Sequence, residues 1–99
     1  MTTDALDIRH EEADGRGAFF IRREGQRLAE LTYSRVGPHL VVIDHTEVDA
    51  KLQGLGIARR LLDTAVAWAR ATRTRVVATC PYAKAQFDKD PSIRDVLDF

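Results

Sequence analysis

Three features of this chain have residue types and spacing suited to chemistry. The first is the run Lys51-Leu52-Gln53-Gly54-Leu55-Gly56, with two glycines one residue apart where a strand pattern gives way to a helix pattern. The first four peptide N–H groups of a helix have no partner inside it, and the helix dipole is positive at that end. Glycines let backbone approach a ligand with no Cβ in the way. The run is therefore a candidate seat for an anionic phosphate group, or simply a tight strand-to-helix connection. The second is Cys80, which ends a strand pattern just before a helix, a place that favours thiolate. It reads as a nucleophile or acid, or as a small buried hydrophobe ahead of Pro81. The third is His45. An imidazole ordinarily titrates near pH 6.5, which suits a general base, although a hydrogen-bonded strand residue has the same address.

The elements that must position these residues can be read from hydrophobic period. Leu6, Ile8 and His10 alternate with Asp7 and Arg9 as a weak edge strand, and Asp14-Gly15-Arg16-Gly17 turns the chain. Residues 18–23 form an apolar-aromatic strand closed by Glu24-Gly25, a hairpin signal. Residues 28–36 form the next strand, turned by Gly37-Pro38. Residues 39–48, with Leu40-Val41-Val42-Ile43 in the middle, are the most apolar strand and read as the central one. On it, alternation puts His45 and Glu47 on one face and Asp44 and Thr46 on the other.

The period then changes. From Gly56 to about Ala71, residues Ile57, Leu61, Leu62, Ala65, Trp68 and Ala69 share one helical face, which makes Trp68 core. Residues 75–79 are a short β-branched strand, residues 82–89 a short helix, and residues 92–97 a last helical turn capped by Ser92. A strand, a helix and a second strand in that order require the two strands to be parallel. The expected class is α+β, an α/β sandwich with a mixed, mainly antiparallel sheet ending in a β-α-β unit.

Bulk properties narrow the function classes. At 99 residues the chain is expected to be one domain. Fifteen basic and fifteen acidic side chains cancel, which leaves no global basic field for nucleic acid. A single cysteine fits a reducing compartment, and residues 1–7 have neither a basic nor an apolar leader region. No apolar run approaches the roughly 20 residues of a membrane helix, so the expected location is cytoplasmic. The scattered His residues and one Cys give no zinc spacing, and no metal is expected. His10 and His39 fall in edge or turn contexts and look incidental.

The glycine run can be matched to known phosphate-binding turns. A P-loop would need Gly-Lys-Ser or Gly-Lys-Thr, which is missing. A dinucleotide fingerprint would need a small residue where Arg59 stands. The acetyl-CoA turn Arg/Gln-x-x-Gly-x-Gly/Ala fits, with Lys51 in place of the first Arg or Gln. Lysine keeps the charge there but loses the planar pair of donors. Together with His45-Thr46-Glu47-Val48, Leu61-Leu62, Trp68-Ala69-Arg70, Cys80-Pro81-Tyr82 and Pro91, the turn resembles the minimal, single-helix-pair branch of the GNAT acetyltransferase superfamily. The resemblance runs along nearly the whole chain, best over residues 41–97.

That resemblance implies two parallel strands that splay apart, with pantetheine in the wedge on main chain near Glu47 and Val48. It implies pyrophosphate on the amides of Gln53, Gly54, Leu55, Gly56, Ile57 and Ala58, with Lys51 close by. Arg59, Arg60 and Lys84 are candidate phosphate partners, or a solvated charged face. The thioester would point between His45 and Cys80, and the branch has been discussed as using this cysteine. Asp44 and Glu47 are reserve bases. Tyr82 could donate to the departing thiolate or merely pack under the short helix. The implied activity is acetyl-CoA-dependent acetylation of an amine on an unknown small molecule or protein. Alternatives are a coenzyme A-binding module acting through a protein partner, or a domain that binds no coenzyme A.

Overall fold

The computed structural model describes residues 6–98. The leader reading, drawn from residues 1–7, therefore lies mostly outside the described residues. Strands β1 (Arg9–Ala13), β2 (Arg16–Arg23), β3 (Gln26–Gly37) and β4 (Leu40–Val48) form an antiparallel meander. Its first two turns, Asp14-Gly15 and Glu24-Gly25, hold both central residues at positive φ. Such turns carry the twist that flanking strands require, and glycine makes the second position cheap. β1 starts later than the Leu6–Ile8–His10 alternation suggests; Leu6 and Ile8 pack against the core just before it.

A short 3-10 turn (Ala50–Leu52) and the two glycines lead from β4 into helix α1 (Ile57–Thr72). The helix returns the chain to β5 (Arg75–Ala78), which pairs parallel with residues 40–43 of β4. Helix α2 (Pro81–Lys89) and a 3-10 segment (Pro91–Val96) follow. The sheet order is β1-β2-β3-β4-β5, so the α+β expectation holds. The centre of the sheet is β3, however, and β4 is one place from the edge. The apolar run misled because residues 40–43 are flanked by strands on both sides, as a central strand would be.

One core joins both layers. Phe19, Ile21, Leu31, Tyr33, Val41 and Ile43 from the sheet meet Ile57, Leu61, Leu62, Ala65, Val66 and Ala69 of α1. Each large aliphatic side chain buried there contributes about 1.5–3 kcal/mol. Trp68 is only half-buried and stacks on Tyr33 at the rim rather than inside the core. The last segment is capped by Asp90, not Ser92: Asp90 Oδ1 accepts from the Ser92 amide at 2.9 Å. Pro91 takes the first helical position, which suits its fixed φ, and the cap falls on the residue before it.

β4 carries a bulge that organises the rest of the molecule. Tyr33 faces Ile43 and Thr32 faces His45, which leaves Asp44 as the extra residue. The bulge reverses the alternation. Val41 and Ile43 point into the core, whereas beyond the bulge Thr46 and Val48 do so. Asp44 turns outward and accepts hydrogen bonds from the hydroxyls of Thr32 and Ser34. His45 and Glu47 do share a face, as expected, but Asp44 shares it with them and Thr46 does not. A strict two-residue period cannot anticipate an inserted residue.

Candidate functional site

The glycine turn is built from the end of β4 outward. Asp49 Oδ1 accepts from the Lys51 amide at 2.9 Å and closes the 3-10 turn, which buried Leu52 anchors. Gly54 and Gly56 then adopt φ values of 82° and 70°. A Cβ added at either would meet nothing within 4 Å. The glycines are thus required by backbone conformation, and the space above them is open. Gly56 caps α1 without any side-chain hydrogen bond, and the first turn holds no acidic residue. The first bond of the helix runs from the Arg60 amide to the Gly56 carbonyl at 3.1 Å. The amides of residues 54–59 consequently have no partner among the described residues. A cleft of about 500 Å³ runs from Val48 along this turn to Ile57 and Ala58, and Tyr82 lines it as well.

The neighbouring strand edge is also bare. The last pair between β4 and β5 is Ile43 with Ala78, and the Ile43 carbonyl accepts from both Thr79 and Cys80 amides at 3.0 and 3.1 Å. Beyond it, residues 44–48 have no strand on that side among the described residues. The Asp49 amide donates to Leu28 O at 2.7 Å, so by alternation Glu47 turns its peptide groups toward β3. The peptide groups of Thr46 and Val48 face the open edge. The Glu47 main chain is therefore engaged with β3 and does not face the open edge.

The structure separates the two expected catalytic residues. Cys80 is 3% exposed at the start of α2, with Sγ 3.3 Å from Thr46 Oγ1 on the helix side of β4. His45 lies on the opposite face, exposed, with Nε2 3.1 Å from Glu47 Oε1. It is joined there by a residue that sequence reading passed over. Glu30 on β3 pairs directly with Glu47, and one donor atom each from Glu30, His45 and Glu47 lie within 4.8 Å of one another. The only sequence signal for Glu30 was its place in the polar alternation Glu30, Thr32, Ser34 on β3.

Arg59 requires a correction. Its guanidinium is occupied by Asp63 at 2.8 Å, by Gln86 at 2.9 Å and by Asp90, which ties α1 to α2. The same contact holds the Asp90 carboxyl down to about 2. Its side chain is turned away from phosphate duty, although its amide belongs to the open set. Arg60 reaches the Leu6 carbonyl at 3.2 Å. Lys51 and Lys84 are exposed and make no side-chain hydrogen bond among the described residues. Tyr82 is half-buried, packs on the core, and burial pushes its hydroxyl pKa up.

His10 is not incidental. Tyr33 Oη donates to Glu12 Oε1 at 2.7 Å, so the 2.6 Å contact with His10 requires an Nε2–H donor on the imidazole. Arg35 completes the chain at 2.6 Å from Glu12 and holds that carboxyl down to about 2. This network lies near the other end of α1, against Trp68. His39 sits in the turn between β3 and β4, and its carbonyl accepts from the Arg75 amide at 2.7 Å.

The family model for GCN5-related N-acetyl-transferase matches residues 18–96, from β2 through the last 3-10 segment. The chain belongs to this family. The solution structure of a GCN5-like protein from Staphylococcus aureus, a candidate N-acetyltransferase, is similar at 34% identity with a TM-score of 0.73. That match covers 95% of this chain and 89% of the other. Tetrahymena GCN5 is similar in fold at 14% identity and TM-score 0.63, over 78% of this chain and 51% of its own. A GNAT acetyltransferase from Elizabethkingia anophelis with acetyl-CoA bound has 16% identity and TM-score 0.56, over 75% and 50% of the two chains. The chain thus spans about half the length of these larger GNAT proteins. No curated protein matches it. GNAT membership assigns the reaction class, acetyl transfer. Among the described residues, no helix is long and apolar enough to cross a membrane.

Proposed function

We propose that this GNAT chain binds acetyl-CoA and transfers its acetyl group to an amine. The observation that carries the proposal is the set of unpartnered amides at residues 54–59, beside a strand edge with free peptide groups. Such amides at a helix start, with the positive dipole end behind them, suit a diphosphate. Open space above both glycines leaves room for it. A structural neighbour that holds acetyl-CoA supports the same ligand. Bound acetyl-CoA would supply the acetyl group as a reactive thioester.

The chain's own residues divide the remaining work. The peptide groups of Thr46 and Val48 hold the pantetheine arm along the open edge of β4. His45, oriented by Glu47, takes a proton from the incoming ammonium on the outer face. The freed amine nitrogen bonds to the acetyl carbon while the carbon–sulfur bond breaks. The thiol of Cys80, 3.3 Å from Thr46 Oγ1, is the group proposed to give the departing thiolate its proton. Its burial favours this role over that of an acetyl-carrying nucleophile. Each ammonium acetylated releases one proton overall.

Calorimetric titration with acetyl-CoA is expected to give saturable one-to-one binding. Absence of binding would overturn the proposal. Mass spectrometry after incubation with acetyl-CoA is expected to find Cys80 unmodified, with turnover retained in part by Cys80→Ser. Acetyl trapped on Cys80, together with a dead Cys80→Ser variant, would replace direct transfer with a covalent route.

A further inference from the structure

Helix α2 carries two groups of the proposed site at its start: Cys80 is its N-cap, and Tyr82 lines the cleft beside the glycine turn. The helix has 9 residues, fewer than the roughly 12–15 at which an isolated helix becomes marginal in water. Its placement therefore depends on what holds it. Ala83 and Phe87 bury one side of it in the core. Such apolar contact is non-directional and leaves the helix free to roll about its axis.

The directional contacts are few. At the start, the Cys80 amide donates to the Ile43 carbonyl at 3.1 Å. At the far end, Arg94 of the last segment donates to the Phe87 carbonyl at 2.6 Å and to that of Asp88. That segment reaches α1 only at second hand, through Arg70 on Ser92 O and Asp95 at 2.7 Å. Arg59 is the one side chain among the described residues whose hydrogen bonds join α1 to α2 directly. Its Nε holds Asp63 within α1, while its two terminal nitrogens hold Gln86 of α2 and Asp90 at the end of α2. A planar guanidinium fixes three partners in one geometry, which a lysine ammonium on a flexible stem does not.

We infer that Arg59 is a positioning residue: it locks α2 to the first turn of α1 and so keeps the Cys80 thiol beside Thr46. The amide of Arg59 belongs to the open set at the helix start and its side chain belongs to the lock. One residue thus keeps the coenzyme seat and the thiol in register. The catalytic consequence rests on the acetyl-transfer reading; the lock itself does not.

The chain has a single cysteine, so thiol labelling reads the lock with no coenzyme present. In native protein, Cys80 should react with N-ethylmaleimide about tenfold faster in Arg59→Lys and in Gln86→Ala than in the parent, as loss of one charge-assisted bond allows. The faster rate should be insensitive to low urea, as a local opening is. Asp63→Asn should stay close to the parent, because its contact lies within α1. With acetyl-CoA and an amine, Arg59→Lys should lower kcat about tenfold, within the roughly hundredfold that a 1 Å misplacement can cost. Coenzyme affinity should hold nearly constant, since the seat amides lie outside α2. In the Cys80→Ala background the same substitution should cost nothing further, because no thiol is left to position.

Unchanged labelling in both Arg59→Lys and Gln86→Ala would overturn the lock. An equal loss of kcat with and without the thiol would overturn its action through Cys80. Failure of acetyl-CoA to bind would instead overturn the coenzyme reading and leave the labelling result standing.

Discussion

The two ends of α1 are finished in opposite ways. At the C-terminal end, Arg73 takes the left-handed conformation and its amide bonds the carbonyls of Ala69 and Arg70. Thr74 donates to Ala69 O at 2.8 Å, and Thr72 Oγ1 donates to Trp68 O at 2.8 Å. Close by, the His10–Tyr33–Glu12–Arg35 chain satisfies its polar groups internally. At the N-terminal end, Gly56 offers no side-chain cap and the first turn has no acid. A helix end is ordinarily closed by Ser, Thr, Asp or Asn at a gain of about 1 kcal/mol. This chain forgoes that gain at the end where the proposed diphosphate would replace it, and closes the other end with its own groups. The glycines show the same split. Gly17 is needed because a Cβ there would lie 2.2 Å from the Tyr33 ring; Gly54 and Gly56 face open space.

Substitutions can break this contrast. The largest effect is expected from Gly17→Ala, which drives a methyl into a ring that is 1% exposed. Overpacking of that kind costs about 1–3 kcal/mol, and thermal denaturation should place this variant at the upper end. A melting temperature equal to the parent's would mean that Tyr33 is free to move. Gly54→Val should leave the fold intact while imposing a left-handed β-branched residue, at about 1–2 kcal/mol. It should weaken coenzyme A binding at least about tenfold. Unchanged affinity by calorimetry would show that the turn does not hold the ligand.

Ala58→Asp sharpens the comparison most, because its two effects should have opposite signs. An acid in the first turn stabilises a helix by about 0.3–1 kcal/mol, so the melting temperature should rise. The same charge should repel the diphosphate and lower affinity. A rise in both would remove the anion seat from the account.

The smallest effect concerns acid. Arg35 holds Glu12 down from its ordinary 4.5 to about 2, and Arg59 does the same to Asp90 from 3.8. Because the folded values are the lower ones, these contacts stabilise the fold fully above the ordinary carboxylate range. That contribution is lost as pH falls from about 4.5 toward 2. Denaturation midpoints of Glu12→Gln and Asp90→Asn should therefore fall less steeply over that window than the parent's. Parallel curves would contradict the assignment.

Local pattern made much of the fold legible. The 3.6-residue recurrence from Ile57 to Ala69 yields α1 to within a residue or so, and Asp14-Gly15 and Glu24-Gly25 mark two hairpins directly. The glycine turn was legible as a place because two glycines one residue apart, between a strand pattern and a helix pattern, leave few other options. Features set by long-range pairing were not. The bulge at Asp44 appears only when β3 is laid against β4, so Asp44 and Thr46 were assigned to the wrong partners. Glu30 lies 17 positions before Glu47 in sequence and pairs with it only across the ladder. The ties of the Arg59 guanidinium were hidden for a similar reason: Asp90, which shares it with Asp63 and Gln86, arrives with α2 and the final segment. His10 looked isolated because Tyr33 on β3 and Phe19 on β2 meet it from other strands of the meander.

The most direct measurement follows amide ¹H–¹⁵N shifts through a titration with coenzyme A. The account predicts that the largest changes fall on residues 54–59, with those near Arg73 and Thr74 unmoved. Saturating ligand that leaves the six N-terminal amides in place, or that moves only the opposite end of the helix, would contradict it.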